Sequence, residues 1–236
     1  MHDARYDTVI LTRASEDDAA LAARLRAGGA RVLELPCVRT VPLDDDAPLA
    51  AAIGRVGPED WVVITSRAGA DALARAGRFT ARVAAVGAAT AARLALHGIA
   101  ASFVPSRAAG AALARELPPA RVALLARSDR ALPDLHDILR ARGFEVREVV
   151  AYRTVVGPVG DVAPAREALR TGERVAIYLW SPSALDGLLM GVPRELVAGA
   201  DLFVAGDTTR AAALSRLGPD AQIATIAEEV MHVTRR

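Results

Sequence analysis

The sequence predicts an α/β fold of two domains, each a parallel sheet flanked by helices, arising from an internal duplication. Three observations carry that expectation. Short apolar, β-rich runs alternate with Ala-rich helical stretches along the chain, the pattern of parallel strands joined by helical crossovers. Twelve identities then recur without a gap at an offset of 114 residues (154 less 40): Leu11, Arg13, Leu21, Leu25, Arg26, Ala27, Gly29, Val32, Glu34, Arg39, Thr40 and Val41 return as Leu125, Arg127, Leu135, Leu139, Arg140, Ala141, Gly143, Val146, Glu148, Arg153, Thr154 and Val155. Both copies also close on Arg-Thr-Val, at Arg39–Val41 and Arg153–Val155.

Taken in order, Thr8-Val9-Ile10-Leu11 reads as a strand, and Ser15-Glu16-Asp17-Asp18 supplies an N-cap and an acidic first turn for a helix that stops at Gly28-Gly29. Val32–Leu35 is the next strand, placed parallel to the first by a right-handed crossover. Pro36 to Pro42, the Asp44-Asp45-Asp46 run and Pro48 read as linker. Trp61–Ile64 leads through Thr65-Ser66-Arg67 into a helix that reaches Ala76-Gly77. Val83–Val86 breaks at Gly87, with Thr90 opening a helix to His97-Gly98; Ser102–Pro105 is a short strand, and a helix runs from Ala108 to Leu117.

Pro118-Pro119 precedes the second copy, with a strand at Val122–Leu125, a helix from Leu132 to Arg142, and Phe144-Glu145-Val146 leading to Tyr152-Arg153-Thr154. Gly157-Pro158-Val159-Gly160 is a second linker signal, followed by a helix over Pro164 to Arg170. Val175–Leu179 then leads to Ser181-Pro182-Ser183, and Leu202–Gly206 to Thr208-Thr209. A last helix covers Ala211 to Leu217 and a last strand Ile223–Ile226.

Bulk properties narrow the function. A chain of 236 residues that is 52% hydrophobic has material for two cores. A net charge of +1 gives no field for nucleic acid or an anionic membrane. All 29 basic residues other than His are Arg, which reads as coding bias. No apolar run reaches membrane-span length and Met1–Arg5 lacks a signal-peptide layout, so the expectation is a cytoplasmic protein. Cys37 has no partner for a disulfide and no His or Cys at metal-ligand spacing, which suits a small buried apolar residue. The four His share no motif, and no metal site is expected.

In open parallel sheets a ligand sits beyond the carboxyl ends of the strands, where helix N-termini converge. Four turns place a small hydroxyl residue there: Thr65-Ser66, Gly87 with Thr90, Ser181-Pro182-Ser183, and Gly206 with Thr208 and Thr209. Each offers free N–H groups and a positive dipole end, together a cradle for carboxylates, with Gly87 and Gly206 expected to admit a ligand closely. Singly, each Ser or Thr is also an ordinary N-cap. Neither glycine turn has the spacing of a dinucleotide fingerprint or a P-loop, so no nucleotide is predicted. Tyr152 stands where the first copy has Val38. A tyrosine there can exchange a proton with a ligand, or simply lie half-buried beside a linker strand.

With these residues in view the chain resembles the uroporphyrinogen-III synthase family over nearly its whole length. The resemblance rests on Thr12-Arg13, Thr65-Ser66, Val86-Gly87-Ala88-Ala89-Thr90-Ala91, Val150-Ala151-Tyr152-Arg153-Thr154, Ser181-Pro182-Ser183 and Ala205-Gly206-Asp207-Thr208-Thr209, in that order. It implies that residues 1–38 and 155–236 form one domain and 39–154 the other, with linker strands near 36–42 and 149–157. The implied partner is the small molecule hydroxymethylbilane, an eight-carboxylate substrate cyclised in the cleft between domains with inversion of ring D, by a monomer with no cofactor and no metal. Tyr152 matches the family's tyrosine, a candidate to assist hydroxide departure. Arg13, Ser66, Gly87, Thr90, Ser181, Ser183, Gly206, Thr208 and Thr209 are then the substrate-binding candidates. Asp207 and Ala68 depart from the family's usual residues and leave a second reading, a non-catalytic relative that senses a tetrapyrrole or another small polyanion.

Overall fold

A computed structural model describes residues 6–131 and 133–226. Strand β1 (Thr8–Leu11) leads into α1 (Ser15–Ala27), β2 (Arg31–Glu34) and β3 (Val38–Pro42). There follow α2 (Ala47–Ile53), β4 (Trp61–Ile64), α3 (Arg67–Arg75), β5 (Arg82–Ala85), α4 (Ala88–Leu96) and α5 (Gly110–Glu116). The second copy begins with β6 (Val122–Ser128), α6 (Asp134–Ala141) and the long β7 (Glu145–Val156). The chain closes through α7 (Val162–Arg170), β8 (Val175–Leu179), α8 (Pro182–Gly191), α9 (Arg194–Ala198), β9 (Asp201–Val204), α10 (Asp207–Leu217) and β10 (Ile223–Thr225). This is an α/β fold.

The chain divides into two compact units, residues 1–39 with 155–236, and residues 40–154. The first contains a five-stranded sheet in the order β10-β9-β8-β1-β2, with every pair parallel. Alternate residues feed opposite faces, as a period of two requires. Ile10, Ile177, Leu179, Leu202 and Val204 enter one cluster, while Val9, Leu11, Ala176, Tyr178 and Phe203 enter another. Burial on both faces explains why Val9–Leu11 of β1 and all of β8 are continuous apolar runs. Each such Ile, Leu or Val contributes about 1.5–3 kcal/mol.

The second sheet has the order β3-β7-β6-β4-β5, and β6 is parallel to both β7 and β4, as β4 is to β5. Val62, Ile64, Leu124 and Ala126 face one cluster; Trp61, Val63, Ala123 and Leu125 face the other. Beyond β5, Phe103 forms a single parallel bridge with Ala84. The order Phe103, β5, β4, β6, β7 therefore matches β10, β9, β8, β1, β2 strand for strand.

Several expectations need correction. The Asp44–Pro48 stretch is not all linker, because α2 starts at Ala47 with Pro48 in its first turn, where the missing N–H costs nothing. Ser102–Pro105 is not a strand beyond the one bridge. Helix α1 takes in Ser15, so Ala14 occupies the cap position. Helix α9, absent from the sequence reading, fits between Pro193 and Gly199. The helix expected from Leu132 starts at Asp134, and residue 132 itself lies outside the described residues. In the first unit, Gly157, Val159 and Asp161 donate their N–H groups to Cys37, Pro36 and Glu34 carbonyls in turn. Gly160 permits that approach: at its φ of 85° a Cβ would lie 2.6 Å from the Glu34 oxygen.

Candidate active site

In the second unit the chain leaves β4 at Ile64 and enters α3 through Ser66, whose backbone is extended (φ −157°, ψ 163°). The Ser66 hydroxyl oxygen accepts from the Gly69 N–H at 3.0 Å, which caps α3, and the same hydroxyl donates to the Tyr152 phenol oxygen at 2.8 Å. Strand geometry explains how Tyr152 reaches it. Arg127 stands opposite Val150 but Ser128 stands opposite Tyr152, so Ala151 is an extra residue in β7. Strict alternation would send Ala151 and Tyr152 to opposite faces; with the bulge both pack into the cluster that holds Val62 and Ile64. Tyr152 is only 7% exposed.

Tyr152 borders a pocket of about 150 Å³, lined also by Thr40, Val41 and Pro42 from β3 and by Ala68, Asp71 and Arg75 from α3. Its charges are already paired. Arg75 donates to both Asp46 carboxylate oxygens at 2.8 and 3.2 Å. Asp71 is held by Arg93 at 2.5 and 3.0 Å and by the His97 ring at 2.6 Å. Partial burial pushes the Asp71 carboxyl up, but the hydrogen bonds from Arg93 and His97 outweigh it and leave the group below its ordinary 3.8.

Gly87 caps α4, and Thr90 in the first turn is 5% exposed. Gly87, expected to admit a ligand closely, does not leave room for one on its bare side: a Cβ there would lie 2.7 Å from the Ala108 Cβ, so Ala108 occupies that space. Its φ of −178° is ordinary extended backbone, and packing alone requires the glycine.

In the first unit, Ser181 caps α8 with the same extended backbone and accepts from the Ala184 N–H at 3.2 Å. Its hydroxyl lies 3.0 Å from that of Ser183. One strand over, Gly206 caps α10, with open space where its Cβ would be. Asp207 and Thr208 are exposed in the first turn of α10, while Thr209 is 4% exposed. Asp207 therefore sits where a helix N-terminus favours a carboxylate. Arg13 lies over the Trp180 ring at 4.7 Å and 3.9 Å from Asp18. Its repeat counterpart Arg127 is 8% exposed and paired with Glu148 at 2.6 Å.

Each unit thus gathers its own candidates at the carboxyl ends of its strands: Ser66, Gly87, Thr90 and Tyr152 in one, Arg13, Ser181, Ser183, Gly206, Thr208 and Thr209 in the other. Sequence reasoning missed Asp71 and Arg75. For Asp71 the signal was available, since the offset of 115 that relates Ser66 to Ser181 also relates Asp71 to Asp186, and Asp186 makes a comparable pair with Arg216 at 2.5 Å.

The family model described as Uroporphyrinogen-III synthase HemD matches residues 19–228. The chloroplastic uroporphyrinogen-III synthase of Oryza sativa subsp. japonica is 32% identical over 221 residues, spanning 87% of this chain and 71% of that protein. A mutant uroporphyrinogen III synthase from the extremely thermophilic bacterium Thermus thermophilus has a similar structure, with a TM-score of 0.62 at 20% identity over 96% of this chain and 98% of that one. The synthetase from Helicobacter pylori 26695 gives 0.60 at 17% identity over 97% and 99%. These two share the α/β fold with parallel sheets flanked by helices. Among the described residues, no helix is long and apolar enough to cross a membrane.

Proposed function

The chain belongs to the uroporphyrinogen-III synthase family, and from that premise we propose how its own residues carry the family's reaction, the cyclisation of hydroxymethylbilane to uroporphyrinogen III with ring D inverted. The enzyme is a cyclising lyase. Loss of hydroxide breaks a C–O bond and leaves an azafulvenium cation, and the departing oxygen needs one proton to leave as water. In this reading Tyr152 supplies it. Because Ser66 donates to the phenol oxygen, the phenol's own proton is directed elsewhere. Once that proton is given up, the Ser66 hydroxyl stays on the phenolate, backed by the N-terminus of α3. The phenolate recovers a proton when the closed ring loses its own, so the net loss is one water.

The carboxylates of the substrate meet the helix N-termini at Ser66, Thr90, Ser181 and Thr209, where partial positive charge is set before binding. Holding a reactive cation in the folded geometry is then most of the catalysis. The observation that carries this reading is the 2.8 Å Ser66–Tyr152 bond beside the pocket. The test is to supply hydroxymethylbilane to the purified protein, oxidise, and separate the porphyrin isomers. Prompt isomer III is expected, while isomer I alone, which the substrate forms unaided, would refute the activity.

The same reading takes the chain as a duplicated module, with residues 1–38 and 155–236 as one domain and 39–154 as the other. The matched strand orders and the 114-residue repeat support it. It also takes the protein as a cytoplasmic monomer, which light scattering on the purified chain would check for assembly state.

A further inference from the structure

The bulge that turns Tyr152 toward Ser66 carries a cost that the local residues answer. An extra residue in β7 shifts the ladder with β6 between Arg127 and Ser128; pairing resumes at Tyr152, and there β6 ends. Asp129, the first residue after β6, holds the resumed register with both its backbone and its side chain. Its backbone N–H donates to the Tyr152 carbonyl at 3.3 Å, and its carboxylate accepts the Thr154 N–H at 2.9 Å. Ser128 closes the cluster, donating to the Asp129 carboxylate at 2.9 Å and lying 2.7 Å from the Thr154 hydroxyl. The Asp129 side chain thus stands in for a ladder acceptor, and the strand is gripped on either side of Arg153.

We infer that Asp129 is a positioning residue for Tyr152: its carboxylate locks the bulged register of β7 and so keeps the phenol on the Ser66 side of the sheet. Returning β7 to regular alternation would move Tyr152 to the opposite face, since a shift of one residue reverses every side chain beyond it. Asp129 touches neither the pocket nor the phenol. It acts through the backbone of residues 152 and 154, while Ser66 acts on the hydroxyl. The inference rests on the catalytic reading of Tyr152 for its kinetic consequence, and on geometry alone for its structural one.

Two readouts separate these. The chain has three tyrosines, Tyr6, Tyr152 and Tyr178, so 3-fluorotyrosine labelling gives three fluorine resonances, and that of Tyr152 is identified by its loss in Tyr152→Phe. Asp129 is exposed, and Asp129→Ala is expected to keep the fold while moving the Tyr152 resonance toward that of solvent-exposed tyrosine. Asp129→Asn, which retains an oxygen for the Thr154 N–H, is expected to restore it. In turnover of hydroxymethylbilane, Asp129→Ala is expected to lower kcat about tenfold or more with KM little changed, and to have no further effect when Tyr152 is already Phe. An unmoved resonance in Asp129→Ala, or an equal loss of kcat in both backgrounds, overturns the inference. If Tyr152→Phe leaves kcat unchanged, the catalytic reading of Tyr152 fails instead, and the resonance still decides whether Asp129 sets its position.

Discussion

Ser66 and Ser181 occupy the same step in the two units: each follows a fully buried central strand, is extended, and caps the next helix by accepting an N–H three residues on. Their other partners differ. Ser181 turns to Ser183 within its own helix turn, whereas Ser66 reaches across to Tyr152 on a neighbouring element. The repeat has Val38 where the other copy has Tyr152, and Ala68 where it has Ser183. A serine that bonds only within its own turn in one half is the anchor of a phenol in the other, through two substitutions and a strand bulge.

The sharpest way to break that contrast is Tyr152→Phe, which keeps the ring in its cluster and removes only the hydroxyl. It is expected to lower kcat about a hundredfold with an unchanged melting curve; a rate equal to the parent's would remove the phenol from the chemistry. The two glycine caps provide the next test. Gly87→Ala drives a Cβ into Ala108 and is expected to cost about 1–3 kcal/mol in urea unfolding. Gly206→Ala meets open space and should cost only the poorer cap, about 0.5 kcal/mol. Equal losses would mean that Ala108 yields freely.

Smaller effects separate the serines themselves. Ser66→Ala and Ser181→Ala should each cost about 1 kcal/mol as lost caps, but only the first should also shift the fluorine resonance of Tyr152. A shared shift would show that the halves are not distinct in the way described.

The smallest effect concerns acid. The Thr154 N–H is the main influence holding the Asp129 carboxyl below its ordinary 3.8, and that of Asp71 is also lowered. A carboxyl with a depressed folded value stabilises the fold above its unfolded value, and that stabilisation is lost as the pH falls below 3.8 toward the folded value. Asp129→Asn and Asp71→Asn should each flatten the stability profile in that window. A profile of parent shape would show that neither contact is retained in solution.

Much of this was legible in the sequence, for physical reasons. Strands buried on both faces, such as Trp61–Ile64 and Val175–Leu179, must be continuously apolar, and the 114-residue repeat marked the corresponding elements. Ser66 and Ser181 could be found because a cap needs a short hydroxyl side chain. The bulge could not, because an alternation reading assumes an unbroken period of two, and nothing in Val149-Val150-Ala151-Tyr152 marks Ala151 as the extra residue. Asp46 to Pro48 misled because Pro and acidic residues suit a linker and a helix start equally well. Gly87 was read for its freedom when its value lies in what Ala108 leaves no space for.

The order of strands in the first sheet also bears on how the protein is made. Strand β1 lies between β2 and β8, yet Val175 emerges from the ribosome 164 residues (175 less 11) after Leu11. At ~5–20 residues per second, β1 waits roughly 8–33 s for that neighbour. Residues 40–154 are complete 21 residues earlier (175 less 154). In arrested nascent chains this segment should resist protease first, while the amino-terminal strands stay cleavable and open to chaperones until β8 arrives.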